Sequence, residues 1–177
     1  MRKRLALTIF VLAVATIAFD PSVARAADSC QPVFDALIKL ITTPSHSYTT
    51  RTAAFVNGGK PTESETIYVN GKMYIRARGK WMQSPVTTAD VLDQEKENEE
   101  HGKATCHLVG NEFVGSEPAM VYSMRRETED FKEDDQIWIS RVTGKPLRDE
   151  QDVDLGGKAG KDHRSARFDY SSIRPPI

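Results

Sequence analysis

β-Branched and aromatic residues recur along the chain in the pattern expected of antiparallel strands with one buried face. The clearest case is the segment 136–142, which reads Gln-Ile-Trp-Ile-Ser-Arg-Val. A turn containing Gly144 and Pro146 follows it, and an extended segment resumes at Leu147. Because most of the chain shows the same alternation of extended segments and turns, a meandering antiparallel sheet is predicted as the scaffold.

Turn residues divide the rest of the chain into further extended segments. Glycine, proline and asparagine mark most of the breaks between these segments. Beyond the segment above, the predicted strands cover residues 45–56, 63–69, 72–82, 104–110, 112–114, 117–128, 147–155 and 163–173.

The dipeptide Asn70-Gly71 predicts a tight hairpin between the strands 63–69 and 72–82. A two-residue turn places Glu65 opposite Arg76 and Glu63 opposite Arg78, so opposite charges meet on one face. We expect that charged face in solvent and the opposite face in a core or cavity wall. The predicted apolar face carries Tyr68, Met73, Ile75, Ala77 and Trp81.

Two segments have helical character. Residues 31–42 predict an amphipathic helix that ends before Pro44, because the residue preceding a proline leaves the helical region. Residues 87–101 offer Thr87 or Thr88 as an N-cap and Asp90 in the first turn. This second segment is so acidic that the sequence leaves open whether it is an ordered helix or a mobile flap. Its acidic run is interpreted as a solvated face.

The first 26 residues have the features of a cleaved secretory signal peptide. A basic start is followed by an apolar core, Leu5 to Phe19, and by Ala24-Arg25-Ala26 with small residues at the cleavage positions. The core is shorter than the roughly 20 residues that span a bilayer. The sequence therefore predicts cleavage after Ala26 and export to the periplasm, with residues 27–177 forming one domain.

The charge balance argues against a nucleic-acid partner. The whole chain has a net charge of −1, and residues 1–26 contribute +3, which leaves −4 for residues 27–177. Nucleic-acid binding would require a basic stripe, which this balance does not favour.

Cys30 and Cys106 are the two cysteines of the chain. An even pair in an oxidising compartment most simply forms one disulfide bond, which would join the N-terminal segment to the middle of the sheet. Two free thiols or a metal pair are the alternatives. No Cys-x-x-Cys motif is present, and His107 beside Cys106 is not by itself a metal-ligand spacing.

No motif in the sequence indicates catalysis. It contains no Gly-x-Ser-x-Gly elbow, no His-Glu-x-x-His and no glycine-rich phosphate loop, and its four histidines are scattered. We therefore predict a protein that is not an enzyme and that needs no cofactor and no metal ion.

Soft and amphipathic side chains at alternating strand positions suggest an adaptable apolar surface. A packed core would use the same residue types, and the sequence gives the two interpretations equal weight. The candidate residues for lining a cavity between sheet and helix are Tyr68, Met73, Ile75, Trp81, Met120, Tyr122 and Met124.

The order of these features along the chain resembles that of the LolA/LppX-like superfamily. Its members are periplasmic proteins of the outer-membrane lipoprotein-sorting type. The resemblance is carried by the leader, by the amphipathic helix and by four short motifs. These motifs are Gly79-Lys80-Trp81, Cys106 with Leu108 and Gly110, the segment 112–115 followed by 119–122, and the segment 137–139 followed by 144–147.

The resemblance implies an α+β fold, an open antiparallel β half-barrel with an N-terminal helix packed on its concave face. It further implies a non-catalytic carrier whose cavity accepts an apolar ligand such as an acyl chain, a lipid or a lipoprotein. We expect the protein to be a monomer. The alternative function is a cell-envelope accessory protein that binds an envelope protein partner and no small molecule.

Overall fold

The computed structural model describes residues 29–53, 56–101, 103–127, 132–154, 156 and 160–177. The predicted signal peptide, residues 1–26, lies outside the described residues. Within those residues, neither helix combines the length and hydrophobicity needed to cross a bilayer.

The described residues form two helices and nine strands, with a short 3₁₀ turn at Asn57–Gly59. The helices are α1 (Gln31–Thr42) and α2 (Thr88–His101). The strands are β1 (Ser45–Ala53), β2 (Thr62–Val69), β3 (Lys72–Ala77), β4 (Lys80–Thr87), β5 (Ala104–Val114), β6 (Glu117–Glu127), β7 (Lys132–Ser140), β8 (Pro146–Asp154) and β9 (Lys161–Asp169).

All nine strands form one antiparallel sheet in the order β4-β3-β2-β1-β9-β8-β7-β6-β5. The chain moves outwards from β1 to the edge strand β4, and α2 then connects that edge to the opposite edge strand, β5. From β5 the chain returns strand by strand until β9 pairs with β1. This architecture confirms the predicted α+β open antiparallel half-barrel.

Helix α1 has the predicted bounds, with a proline in its first turn and the extended Thr43 at its end. Val33 and Ala36 are 0 % exposed, because they pack on the sheet. The contacted face is called the helix face and carries Tyr122, Met124 and Ile137. The opposite face is called the reverse face and includes Val121 and Trp138.

A disulfide bond joins Cys30 at the start of α1 to Cys106 on β5, with the two Cα atoms 5.0 Å apart. The predicted pairing is confirmed. It fixes the N-terminal end of α1 over the β5 edge of the sheet, next to the buried Met124.

Helix α2 is ordered and begins with a reciprocal cap. The Thr87 backbone N–H donates to Asp90 Oδ2 at 2.7 Å, and the Asp90 N–H donates to Thr87 Oγ1 at 3.2 Å. The Thr87 N–H and the Thr87 hydroxyl group, which both donate to Asp90 Oδ2, lower the pKa of the Asp90 carboxyl group. The helix then packs against α1 and β4, so the segment is a helix rather than an unstructured flap.

The prediction of one strand from Lys72 to Met82 is wrong. A second tight turn at Arg78 and Gly79, with φ values of 52° and 78°, separates β3 from β4. Glu65 does face Arg76 as predicted, but Arg78 lies in the turn and pairs with no strand residue. Because the chain reverses there, Trp81 faces Arg76 and lies on the reverse face.

The proline in Ser84-Pro85 predicts the end of a strand, but strand β4 continues to Thr87. A proline is tolerated there because β4 is an edge strand whose outer N–H groups need no partner. In the same way, the two segments predicted at 104–110 and 112–114 are one strand, β5, with an irregularity in register between Leu108 and Gly110.

The charged face of the β2–β3 hairpin is not simply solvated. Ile67, Val69 and Tyr74 on that face are buried, and Trp81 and Ile173 pack against them. The final strand ends at Asp169 rather than at Ile173. The C-terminal segment is therefore free to cover the reverse face of the hairpin.

Candidate functional site

The predicted cavity residues fall into three separate places. Met120, Tyr122 and Met124 lie together on β6 and pack with α1 and the disulfide bond. Tyr68, Met73 and Ile75 lie on the helix face of β2 and β3, where they are half-buried. Trp81, on the reverse face, belongs to neither group.

The β6 group is a packed core. Tyr122 and Met124 are buried with Val33 and Ala36 of α1, and Ile137 and Ile139 complete the cluster. Burial also raises the pKa of the Tyr122 hydroxyl group. Ligand binding by this group therefore stays a prediction, and its observed surroundings are those of core side chains.

Tyr68 lies close to α2. Burial raises the pKa of its hydroxyl group, and the nearby Glu95 carboxylate on α2 adds to that shift. A groove of about 200 Å³ opens beside it where α1 ends, lined in part by Ile41, Pro44 and Thr88. This groove, lined by both polar and apolar residues, lies beside one of the predicted cavity residues.

A charged belt separates the two apolar groups of the helix face. In sheet order, β1, β9, β8 and β7 lie between β2 and β6. Their helix-face positions include four buried acidic residues, which the sequence analysis did not single out: Glu133, Asp135, Asp149 and Asp162.

Arginine side chains balance three of these acids. Arg126 lies 3.5 Å from Glu133, Arg164 lies 3.5 Å from Asp149, and Arg51 Nε donates to Asp162 at 2.7 Å. The interior of the half-barrel therefore has ion pairs at its centre, where an acyl-chain carrier would need apolar side chains.

The fourth acid, Asp135, has no such arginine partner among the described residues. Burial raises its pKa to about 8, and the Glu133 and Asp149 carboxylates add to the shift. Burial also raises the pKa of Asp149 to about 6, although Arg164 opposes that change. Within the described residues, no group of three or more His, Cys, Asp or Glu side chains could hold a metal ion.

The two edge strands differ in how they are protected. β4 carries Lys80 and Pro85, whereas β5 contains neither lysine nor proline. Large apolar side chains on β5 are nevertheless exposed: Val109 by 56 % and Phe113 by 72 %, with Leu108 also exposed. Charges, prolines and bulges are the usual protection of an edge against pairing with another chain, and of these β5 has Glu112 and the irregularity between Leu108 and Gly110.

No protein-family model and no curated protein matches this chain. Among solved structures, LprF from Mycobacterium bovis is similar at 9 % identity and a TM-score of 0.41, covering 85 % of this chain and 99 % of LprF. MucB in complex with MucA(peri) is similar at 15 % identity and a TM-score of 0.42, covering 84 % of this chain and 58 % of MucB.

A DUF1329 family protein from Desulfovibrio piger ATCC 29098 is similar at 11 % identity and a TM-score of 0.27, covering 81 % of this chain and 93 % of that protein. At these identities and scores, no ligand or partner is transferred to this chain.

Proposed function

We propose that this protein acts outside the cytoplasm as a non-catalytic envelope protein that binds an extended segment of a partner polypeptide along β5. The observation that carries the proposal is the exposed apolar edge of that strand, which contains neither lysine nor proline. Leu108, Val109 and Phe113 are exposed beside backbone groups that no described strand pairs on the outer side.

Strand addition is the binding mode that suits such an edge. An incoming extended segment makes main-chain hydrogen bonds to the free edge, and alternate side chains supply specificity. The 11 residues of β5 offer a longer edge than the 8 residues of β4. The disulfide bond to Cys106 supports a role in binding, because it holds β5 against the core.

The packed state of α1 favours this function over carriage of an acyl chain. Val33 and Ala36, which pack on the sheet, are 0 % exposed. An apolar ligand of drug or lipid size needs a pocket of roughly 300 Å³ or more. The extracytoplasmic location is supported by the predicted leader and by a disulfide bond of the kind that persists in oxidising compartments.

Site-specific photo-crosslinking in the producing cells tests the proposal. A photoreactive phenylalanine analogue at position 113 should give one protein adduct, identified by mass spectrometry, and the same analogue at position 86 on β4 is the matched control. Val109→Lys should abolish the adduct, because it places a charge on the pairing edge. Adducts of equal yield at both positions, or an adduct with a second copy of this chain, would contradict the proposal.

An apolar-ligand function is the second candidate. It is favoured by the half-buried Tyr68, Met73 and Ile75 and by the groove beside Tyr68. That groove is about 200 Å³, which is small for a lipid. Calorimetric titration with a fatty acid should then give saturable binding that Met73→Asp removes. Absence of binding at micromolar concentrations, on the order of the Kd of a typical specific ligand, would exclude this candidate.

A further inference from the structure

Two arginines face each other on the reverse face of the sheet. Arg148 on β8 and Arg167 on β9 are direct partners in the strand register. Like charges at opposite positions of an antiparallel pair destabilise it. Arg148 is compensated, because its guanidinium lies 4.4 Å from the centre of the Trp138 ring and 2.9 Å from Glu150.

Arg167 has no comparable compensation. It makes no ion pair and no side-chain hydrogen bond to the described residues, and its side chain is exposed. Its cross-strand neighbour on the other side is Tyr48 of β1, which carries no charge. The reverse face therefore contains one guanidinium without a counter-ion directly beside a second guanidinium.

Arg167 also lies where two grooves meet. A groove of about 450 Å³ extends from Arg167 towards β5, and a groove of about 390 Å³ extends from it towards the β3–β4 turn. Both grooves are lined by Ser165 as well as by Arg167. A ligand in either groove would therefore contact the uncompensated charge.

The acids of the larger groove already have donors. Glu150 accepts hydrogen bonds from Arg148 and from the Ser165 hydroxyl group at 2.7 Å. Glu112 accepts a hydrogen bond from Trp138 Nε1–H at 2.7 Å. Neither carboxylate is positioned by these contacts to neutralise Arg167.

The acids of the smaller groove do not neutralise Arg167 either. Glu65 accepts from Arg76 at 2.6 Å and contacts His46 at 2.8 Å. Glu63, the other acid that lines this groove, is on β2, two strands away from Arg167 on β9. Arg76 and Arg78 line only the smaller groove, whereas Arg167 is the charged residue that lines both grooves, with Arg148 beside it.

From this arrangement we infer that the reverse face contains an anion site, in which Arg167, flanked by Arg148, binds a phosphate group. A guanidinium presents paired N–H donors that match phosphate oxygens, and two adjacent guanidinium groups share the charge of a dianion. The phosphate belongs either to a free anion or to a lipid headgroup. The larger groove reaches Phe113 on β5, but phosphate binding at Arg167 does not depend on the proposed partner.

Thermal melts of the full protein with inorganic phosphate test the site. In phosphate-free buffer, Arg167→Gln should raise the melting temperature, because it removes the repulsion from Arg148. Phosphate should stabilise the unchanged protein. This stabilising effect of phosphate should be about tenfold weaker for Arg167→Gln. Arg141→Gln, at an exposed position in the β7–β8 turn, is the matched control and should behave like the unchanged protein.

Vesicle flotation separates the two sources of phosphate. Binding to phosphatidylglycerol vesicles, but not to phosphatidylcholine vesicles, that is lost in Arg167→Gln identifies a headgroup site. Stabilisation by inorganic phosphate without vesicle binding identifies a free-anion site. Equal responses of Arg167→Gln and Arg141→Gln in both assays, or no response of the unchanged protein in either, would overturn the inference.

Discussion

Asp135 on β7 and Asp149 on β8 occupy the same face of neighbouring strands and are both buried. Burial raises the pKa of Asp135 to about 8 and that of Asp149 to about 6, and their mutual repulsion adds to the shift of Asp135. Each has an oxygen atom without a hydrogen-bond partner among the described residues. The pair therefore destabilises the folded protein once both groups are ionised.

The stability of the protein should therefore fall as the pH rises. In the unfolded chain Asp135 ionises near its ordinary pKa of 3.8, whereas in the folded protein it stays protonated up to about pH 8. The folded state binds the additional proton across this window, so the contribution of Asp135 is largest below about pH 4 and is lost through about pH 8. Denaturant melts across that range should show the loss.

Asp135→Asn should flatten this pH dependence and raise the free energy of unfolding at the alkaline end by roughly 1–3 kcal/mol. Asparagine keeps the shape of the protonated carboxyl group without its ionisation. Asp134→Asn, at the exposed neighbour that pairs with Arg125, is the matched control. Equal slopes of the free energy of unfolding against pH in the two variants would contradict the assignment of this pH dependence to Asp135.

Removal of the disulfide bond should be costly. Cys30 and Cys106 are 76 residues apart, and closing such a loop in the unfolded chain corresponds to about 4 kcal/mol in the chain-entropy model. The variant with serine at both positions should unfold at a correspondingly lower denaturant concentration. Alkylation of the exported protein without reductant should label no thiol, and two labelled cysteines would contradict the bond.

The parts of the fold that the sequence predicts well are those with local signals. Pro32 and Pro44 mark the two ends of α1, and Asn70-Gly71 determines the β2–β3 register down to the pair Glu65 and Arg76. Those features depend on the conformational preferences of a few adjacent residues. The disulfide pairing follows from the even number of cysteines and the oxidising compartment, whereas no local signal indicates that β9 pairs with β1.

The parts that the sequence does not predict depend on non-local packing. The turn at Arg78-Gly79 lacks a strong signal, since a non-glycine residue takes up a positive φ there, and this displaces Trp81 to the reverse face. The sequence analysis does not single out the acids of β7 and β8, yet Asp135 and Asp149 alternate in phase with core positions such as Ile137. Whether such groups are buried depends on the packing of strands that are far apart in sequence.

The C-terminal segment gives a third prediction. Ile173 packs against a small core on the reverse face that contains Ile67, Val69 and Tyr74, although it follows the last strand. Ile173→Asp would place a charge against this core and should lower the free energy of unfolding by about 2 kcal/mol. Denaturant melts measure the loss directly.

Trp81 belongs to the same small core, so its emission gives a local readout of that substitution. In Ile173→Asp the emission of Trp81 should move to longer wavelength under native conditions, because water reaches the indole ring once the segment detaches. Trp138→Phe in the background leaves Trp81 as the single tryptophan of the chain. Ile177→Asp is the matched control, since Ile177 is 70 % exposed, and its effect should stay within about 0.5 kcal/mol. If both aspartate variants melt alike and leave the emission unchanged, the C-terminal segment does not cover the hairpin in solution.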